Sequence, residues 1–343
     1  MNKAASMTLV YGDSGSGKTA LIESLATWIW RKYKKKTRLI TGDGGGWDNL
    51  QHLVDMGIVV PWQIDTFPNP FETLNLAAEG YWPENVNNPR SELLAPVNVT
   101  YKAFCGKCKK VIWDKITPPG AKFICSVCKS TVAAKNATLG NPTTIVIEAV
   151  RVPNKDNDLT KYAAYAFEGL TAFGNFQMNS LIDRGARGEK IGADAVAKFT
   201  DGKGKFASSN LTYYGIIQNR LHALVNRTRL LPGMHVYWTA LQMRATDQDT
   251  KLPIFGPELV GKAKTGVAPA WFGNTLSVVE WPESDKTQRR LYLKTYYDRE
   301  NPSIPHNCKN RIPALVAGDV PDFLVLDGVK KPEESWGLGL FLD

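Results

Sequence analysis

Residues 12–19 (GDSGSGKT) fill every fixed position of the pattern G-x-x-x-x-G-K-[ST]. Gly12, Gly15 and Gly17 can turn backbone N–H groups inward and make a nest for an anion, with Asp13, Ser14 and Ser16 completing the loop. A helix that starts at Lys18 adds its positive end. Lys18 would reach the β- and γ-phosphates of a nucleoside triphosphate, and the Thr19 hydroxyl would ligate Mg²⁺. Such a site needs a second carboxylate on the metal side, at the C-terminal end of a nearby strand. Glu168 closes the strand-like run 161–168, and Gly169 then turns the chain into a helical pattern. Glu148 sits inside the apolar run 143–150 and is the alternative. Asp43, at the end of residues 37–43 (TRLITGD), is a candidate for positioning the attacking water, or else for holding a glycine-rich turn. Gln242 follows the apolar run 234–241 and is a candidate γ-phosphate sensor.

A second group of residues points to metal. Cys105, Cys108, Cys125 and Cys128 stand as C-x₂-C-x₁₆-C-x₂-C, the spacing of a zinc ribbon. Four thiolates leave no open position, so the expected Zn²⁺ is structural rather than catalytic. Lys102, Lys107, Lys109, Lys110, Lys115 and Lys122 make this segment basic. It could touch nucleic acid, bind a partner protein, or only clip an insertion together. Cys308 is left over, and with His306 it reads as structural.

The elements that must hold these groups are α/β. Residues 7–12 read as a buried strand, 18–35 as a helix and 37–43 as a second strand, a βαβ unit of a parallel sheet. Residues 170–183 and 211–230 read as helices, 234–241 as a buried strand, and 274–281 with 290–297 as paired strands. The expected organisation is an ATPase core in two parts, 1–79 and 143–325. An insertion at 80–142 would carry the ribbon at about 101–131, and 326–343 would be a tail. Residues 184–208 form a glycine- and lysine-rich loop with Arg184, Arg187, Lys190, Lys198, Lys203 and Lys205.

The composition narrows the function classes. The 43% of apolar residues supplies a sizeable core and excludes a wholly disordered chain. No apolar run reaches the roughly 18 residues of a membrane span, and residues 1–7 have no signal-peptide h-region, so a cytoplasmic protein is expected. Five cysteines are too few for a disulfide scaffold. Lys and Arg total 42 against 33 Asp and Glu, and the net charge of +9 favours a polyanionic partner.

The order of GDSGSGKT, ITGDGGGWDNL, YAFEGLTAF, LTYYGIIQNRLHAL, HVYWTALQMR and CKNRIPAL resembles the RecA-like ATPases encoded by bacteriophages. The branch it looks most like is the phage nucleotide-binding proteins, some of which act in recombination or single-strand annealing. The resemblance covers most of the chain outside 80–142. It implies a RecA-like core, ATP hydrolysis with Mg²⁺, a homo-oligomer (ring or filament), DNA as partner, and the host cytoplasm as location. It would make Glu168 the metal-side acid and Asp43 the water-activating one. Lys309 and Arg311, or Lys262 and Lys264, would then act on a neighbour's ATP, and the 184–208 loop would face single-stranded DNA. Two features depart from the family: its usual acid is Asp rather than Glu, and the ribbon is not general to it. Other expectations are a ring-forming DNA-packaging or helicase motor, and a nucleotide-binding scaffold with little turnover.

Overall fold

The computed structural model describes residues 6–43, 47–65, 70–82, 99–105, 107–115, 122–133, 146–151, 154–155, 161–186, 211–246, 251–260, 265–283, 286–311 and 321–326. They form two compact units, 1–80 with 156–343, and 81–155.

The first unit is mixed α/β with a mostly parallel sheet. Its strands are β1 (Ser6–Gly12), β2 (Lys36–Thr41) and β3 (Val59–Gln63). The second unit contributes β4 (Tyr81–Trp82), β5 (Val99–Phe104), β6 (Val111–Lys115), β7 (Lys122–Ile124), β8 (Thr131–Ala133), β9 (Val146–Arg151) and β10 (Asn154–Lys155). The first unit resumes with β11 (Tyr162–Glu168), β12 (His235–Thr246), β13 (Pro253–Pro257), β14 (Asn274–Glu283) and β15 (Lys286–Tyr292). It ends with β16 (Tyr296–Tyr297), β17 (Pro305–His306) and β18 (Phe323–Val325). The helices are α1 (Lys18–Tyr33), α2 (Gln51–Asp55), α3 (Pro70–Ala78), α4 (Leu170–Ala186) and α5 (Leu211–Thr228).

Strands β3, β2, β11, β12, β1 and β14 lie side by side and parallel. The antiparallel β15 and β18 extend that edge. Central parallel strands are covered on both faces, which is why β1 and β11 read as nearly unbroken apolar runs. On one face Leu21, Ile22, Leu25, Trp28 and Ile29 of α1 pack with Val10, Leu39, Ala166, Tyr237 and Val278. Side chains alternate along a strand, so Phe167 and Trp238, the next residues along, point to the other face. Their rings stack at 4.5 Å, and Phe173 of α4 meets Trp238 edge-on. Helix α1 ends at Lys34, which is left-handed (φ 54°) and donates its N–H to Trp30 O, while Arg31 and Lys32 offset the negative end of the helix.

The run containing Glu148 is where the observed organisation differs from the expected one. It forms β9, which pairs antiparallel with β5 in the second unit, Glu148 opposite Lys102. The inserted unit therefore runs to 155 rather than 142, because its sheet needs a strand from beyond the cysteine segment. Strand β3 and helices α2 and α3 are additions to the expected elements. The partner of β14 is 286–292 rather than 290–297. Among the described residues no helix is long and apolar enough to cross a membrane.

Because Leu25 is 2% exposed in the α1 face of the core, Leu25→Ala is expected to cost about 2–5 kcal/mol. A fall in the thermal unfolding midpoint checks it, with Leu230→Ala, at an 87% exposed leucine, as the control that leaves the midpoint in place.

Candidate functional site

The parallel register brings the chemistry to one end of the sheet. Gly12 is level with Leu241 of β12 and Val278 of β14, and Glu168 is level with Thr41 of β2. The C-terminal ends of β1, β2 and β11 thus open on the same side, with the start of α1 above them.

The loop after β1 is shaped by its glycines. A Cβ on Gly12 would lie 2.2 Å from Val278 O, so only glycine lets the strands approach this closely. Gly15 (φ 79°) and Gly17 (φ 101°) are left-handed, the conformation that suits glycine and turns consecutive N–H groups to one side. Lys18 Nζ folds back over the loop and donates to Gly12 O at 2.9 Å and Asp13 O at 2.6 Å. Burial lowers its pKa, against the pull of Asp13, Glu168 and Asp43. The hydroxyl of Ser16 is buried without a partner.

Thr19 Oγ1 donates to Glu168 Oε1. The other carboxyl oxygen, Oε2, is buried with no partner. Burial raises the Glu168 pKa to about 7, helped by Asp43 and opposed by the Thr19 hydrogen bond and by Lys18. Gly169 (φ 99°) turns the chain immediately after the acid, and its N–H donates to Thr239 Oγ1 at 2.9 Å. Of the two acids weighed from sequence, Glu168 is the one joined to the phosphate loop. Glu148 belongs to a strand of the other unit.

Asp43 follows β2, with its N–H donating to Thr41 Oγ1 at 3.1 Å. Its Oδ2 lies 3.4 Å from where a Gly169 Cβ would stand, which puts the carboxyl beside the turn that follows Glu168. Partial desolvation and then Asp65 raise its pKa, and Lys18 lowers it. Gln242 lines a cleft of about 790 Å³ together with Asp13, Ser14 and Ser16. Its Oε1 is buried with no partner. Thr171 binds elsewhere: its hydroxyl donates to Glu258 O and accepts from Leu241 N, tying α4 to the β12–β13 hairpin.

Lys309 and Arg311 stand apart from this group. Lys309 bridges to Thr275 and donates Nζ to Phe272 O at 3.0 Å, while the Arg311 N–H donates to Asn274 Oδ1 at 2.7 Å. Both contacts are at the N-terminal end of β14, whereas Gly12 is level with Val278 further along. Lys190, Lys198, Lys203, Lys205, Arg187, Lys262 and Lys264 lie outside the described residues, and Arg184 is in the last turns of α4. His306 and Cys308 do not converge as ligands. His306 Nε2 faces Asp298 Oδ2 at 3.3 Å and Nδ1 faces Tyr296 OH at 2.8 Å, while Cys308 is buried against Tyr11.

Arg289 is a neighbour of the loop that no motif announces. A Cβ on Gly17 would lie 3.4 Å from Arg289 Cδ, so this side chain rests on the phosphate loop. Its Nε is 3.6 Å from Oε1 of Glu280, its cross-strand partner on β14. Only the β14–β15 register, which spacing does not disclose, brings it there.

In the second unit the two cysteine turns repeat one geometry. Lys109 N donates to Cys105 O and Cys105 N to Lys110 O; Lys129 N donates to Cys125 O and Cys125 N to Ser130 O. The Sγ atoms of Cys105 and Cys128 are 3.4 Å apart, those of Cys108 and Cys125 3.6 Å, and all four lie within 4.8 Å of one another. A tetrahedral zinc with Zn–S bonds of ~2.3 Å spaces its sulfurs at ~3.8 Å, so the four fit Zn²⁺. None is in a disulfide. Hydrogen bonds, first from the Cys108 backbone, lower Cys105 to about 6. Cys108 is raised to about 11: the Lys110 backbone N–H lowers it, but burial and its three fellow cysteines prevail. Thiols this close cannot all ionise without a cation among them.

No known family model matches this chain, and no curated protein compared with it matches its sequence.

Two outcomes follow from the geometry. The Glu168 carboxyl is raised from 4.5 to about 7, so its protonated form favours the fold. That contribution is complete below about pH 4.5 and is lost as pH rises through 7. In metal-free buffer the thermal midpoint of Glu168→Gln is therefore expected to gain on the parent between pH 5 and 8, and a constant difference would contradict it. Metal analysis is expected to find one zinc per chain, and Cys125→Ser to lose it.

Proposed function

We propose that this chain is a Mg²⁺-dependent ATPase with a RecA-like core that acts on DNA, single-stranded DNA in the first place, in phage recombination, annealing or replication. The observation that carries this reading is the Thr19–Glu168 contact, a loop hydroxyl and a buried strand-end acid meeting at the C-terminal edge of a parallel sheet. A magnesium ion takes hard oxygen ligands, and Thr19 Oγ1 and Glu168 Oε2 supply two kinds of them. When bound, it neutralises charge on the β- and γ-phosphates.

The remaining steps fall to the protein's own groups. Lys18 leaves the carbonyls of Gly12 and Asp13 for the phosphates, an exchange of dipoles for full charges. Asp43 orients a water toward the γ-phosphorus. Water attacks, the bond to the bridging oxygen breaks, and ADP and phosphate leave with the proton passing to solvent. Strand β12 lies between the loop strand and the acid strand, and Gln242 follows Leu241, the partner of Gly12, so it would face the γ-phosphate and report its loss. The strand order, with one strand separating β1 from β11, supports a RecA-like core.

DNA as the partner is supported by the net charge of +9 and by the basic 184–208 segment. Lys309 and Arg311 sit at the far end of their own sheet from their own loop. In a homo-oligomer that hydrolyses ATP between subunits, a cation there would serve a neighbouring copy's ATP.

ATP turnover measured without nucleic acid and with single-stranded DNA, duplex DNA or RNA tests this reading. Single-stranded DNA is expected to stimulate turnover and Lys18→Ala to abolish it. Asp43→Asn is expected to lower kcat by about 10²-fold or more while ATP still binds. Turnover indifferent to every nucleic acid would remove DNA from the reading, and ATP binding with no turnover would leave a scaffold.

A further inference from the structure

Beyond the phosphate loop, the two zinc turns share an oddity. Lys109 (φ 58°) and Lys129 (φ 57°) occupy equivalent places, each the residue after the second cysteine of its pair, and both are left-handed. Glycine satisfies such a turn without strain, whereas a lysine there bears a steric cost for its Cβ. The equivalent positions carry the same cationic side chain at the same corner of each turn. Both lysines are exposed, as are Lys107 and Lys110. Residues 107–110 and 122–131 contain no acid.

The metal cluster accounts for part of this charge. Four thiolates around Zn²⁺ carry −4 + 2 = −2, and four exposed lysines carry +4, which leaves +2 turned to solvent. The same turns expose two apolar side chains, Ile124 at 65% and Val127 at 57%. A surface that alternates cations with bare apolar groups suits a partner with both negative charge and uncovered apolar faces. Duplex nucleic acid stacks its base faces away, and an acidic peptide offers carboxylates without them. A single strand presents phosphates and unstacked bases together.

We propose that the paired zinc turns form a clamp for single-stranded nucleic acid, in which Lys109 and Lys129 hold successive phosphates and Ile124 and Val127 lie against bases. It adds a second contact surface to the DNA-dependent activity proposed above, and rests on that reading for the choice of polyanion.

The test uses the full-length, zinc-loaded chain and a fluorescent oligothymidylate, with anisotropy followed at several salt concentrations. The variant is the pair Lys109→Gly and Lys129→Gly, which removes charge and relieves strain together. Affinity is expected to fall on the order of tenfold at 0.1 M salt, and the slope of log K against log salt to flatten by about 1.4, two contacts at ~0.7 each. Zinc content should stay unchanged and the thermal midpoint should not fall. The pair Lys109→Arg and Lys129→Arg should retain binding. Parent protein that binds no oligonucleotide overturns this inference and the DNA reading together. A glycine pair that binds with unchanged affinity and slope overturns the clamp alone. Loss of zinc from the glycine pair assigns the lysines to the cluster and also overturns it. An equal loss on duplex of the same length overturns the single-strand assignment.

Discussion

One buried carboxyl group sets the terms for the rest of the site. Glu168 ends a strand covered on both faces, and burial, helped by Asp43, holds its pKa near 7 against Thr19 and Lys18. Thr19 occupies one oxygen and nothing occupies the other. A carboxyl group with one buried, unpartnered oxygen is under-satisfied, and charged neighbours surround it. Lys18 is near enough to be felt electrostatically but spends its hydrogen bonds on loop carbonyls. Asp43 adds a second negative group beside the same turn, which makes the pocket worse for carboxylates and better for a divalent ion.

The second unit offers a different kind of tie: four cysteines whose sulfurs lie close enough to share a Zn²⁺. The two buried cysteines, Cys105 and Cys125, and their hydrogen-bonded turns are the fixed points of that tie. The short strands around them pair in two small sheets, β7 with its neighbour β8, and β5 with β6 and with β9 from beyond the cysteine segment. Were Zn²⁺ bound there, metal binding and the fold of these turns would be one equilibrium, and the pH that protonates the thiols would also loosen the turns.

What could be read from sequence divides along a physical line. The glycine loop at 12–19 and the four converging cysteines could be located from sequence because both motifs have fixed spacing along the chain. Glu168 was legible because an acid, a glycine and a helical pattern follow one another at a strand end. Glu148 was ambiguous for the opposite reason: its apolar surroundings fit a core strand in either unit, and only pairing with β5 decides. Thr171, one turn from the acid, shows the same limit: its hydroxyl is held by Leu241 N of β12 and Glu258 O, neither of them near it in sequence. Long-range register leaves no local mark.

Register also explains why the loop's glycines are more constrained than the phosphate motif alone requires. Gly12 must admit the backbone of β14 at Val278, and Gly17 must lie under Arg289 of β15. Both contacts come from one hairpin, whose strands are locked by antiparallel pairing from Ser277–Tyr292 to Glu283–Lys286. A side chain at Gly12 would therefore push against a paired strand rather than a mobile loop, and the strain would pass into the hairpin. The glycine loop and the hairpin that supports it are one packed body. A substitution in β14 or β15 far from any phosphate can thus alter the loop's shape by the few tenths of an ångström that decide whether its N–H groups converge.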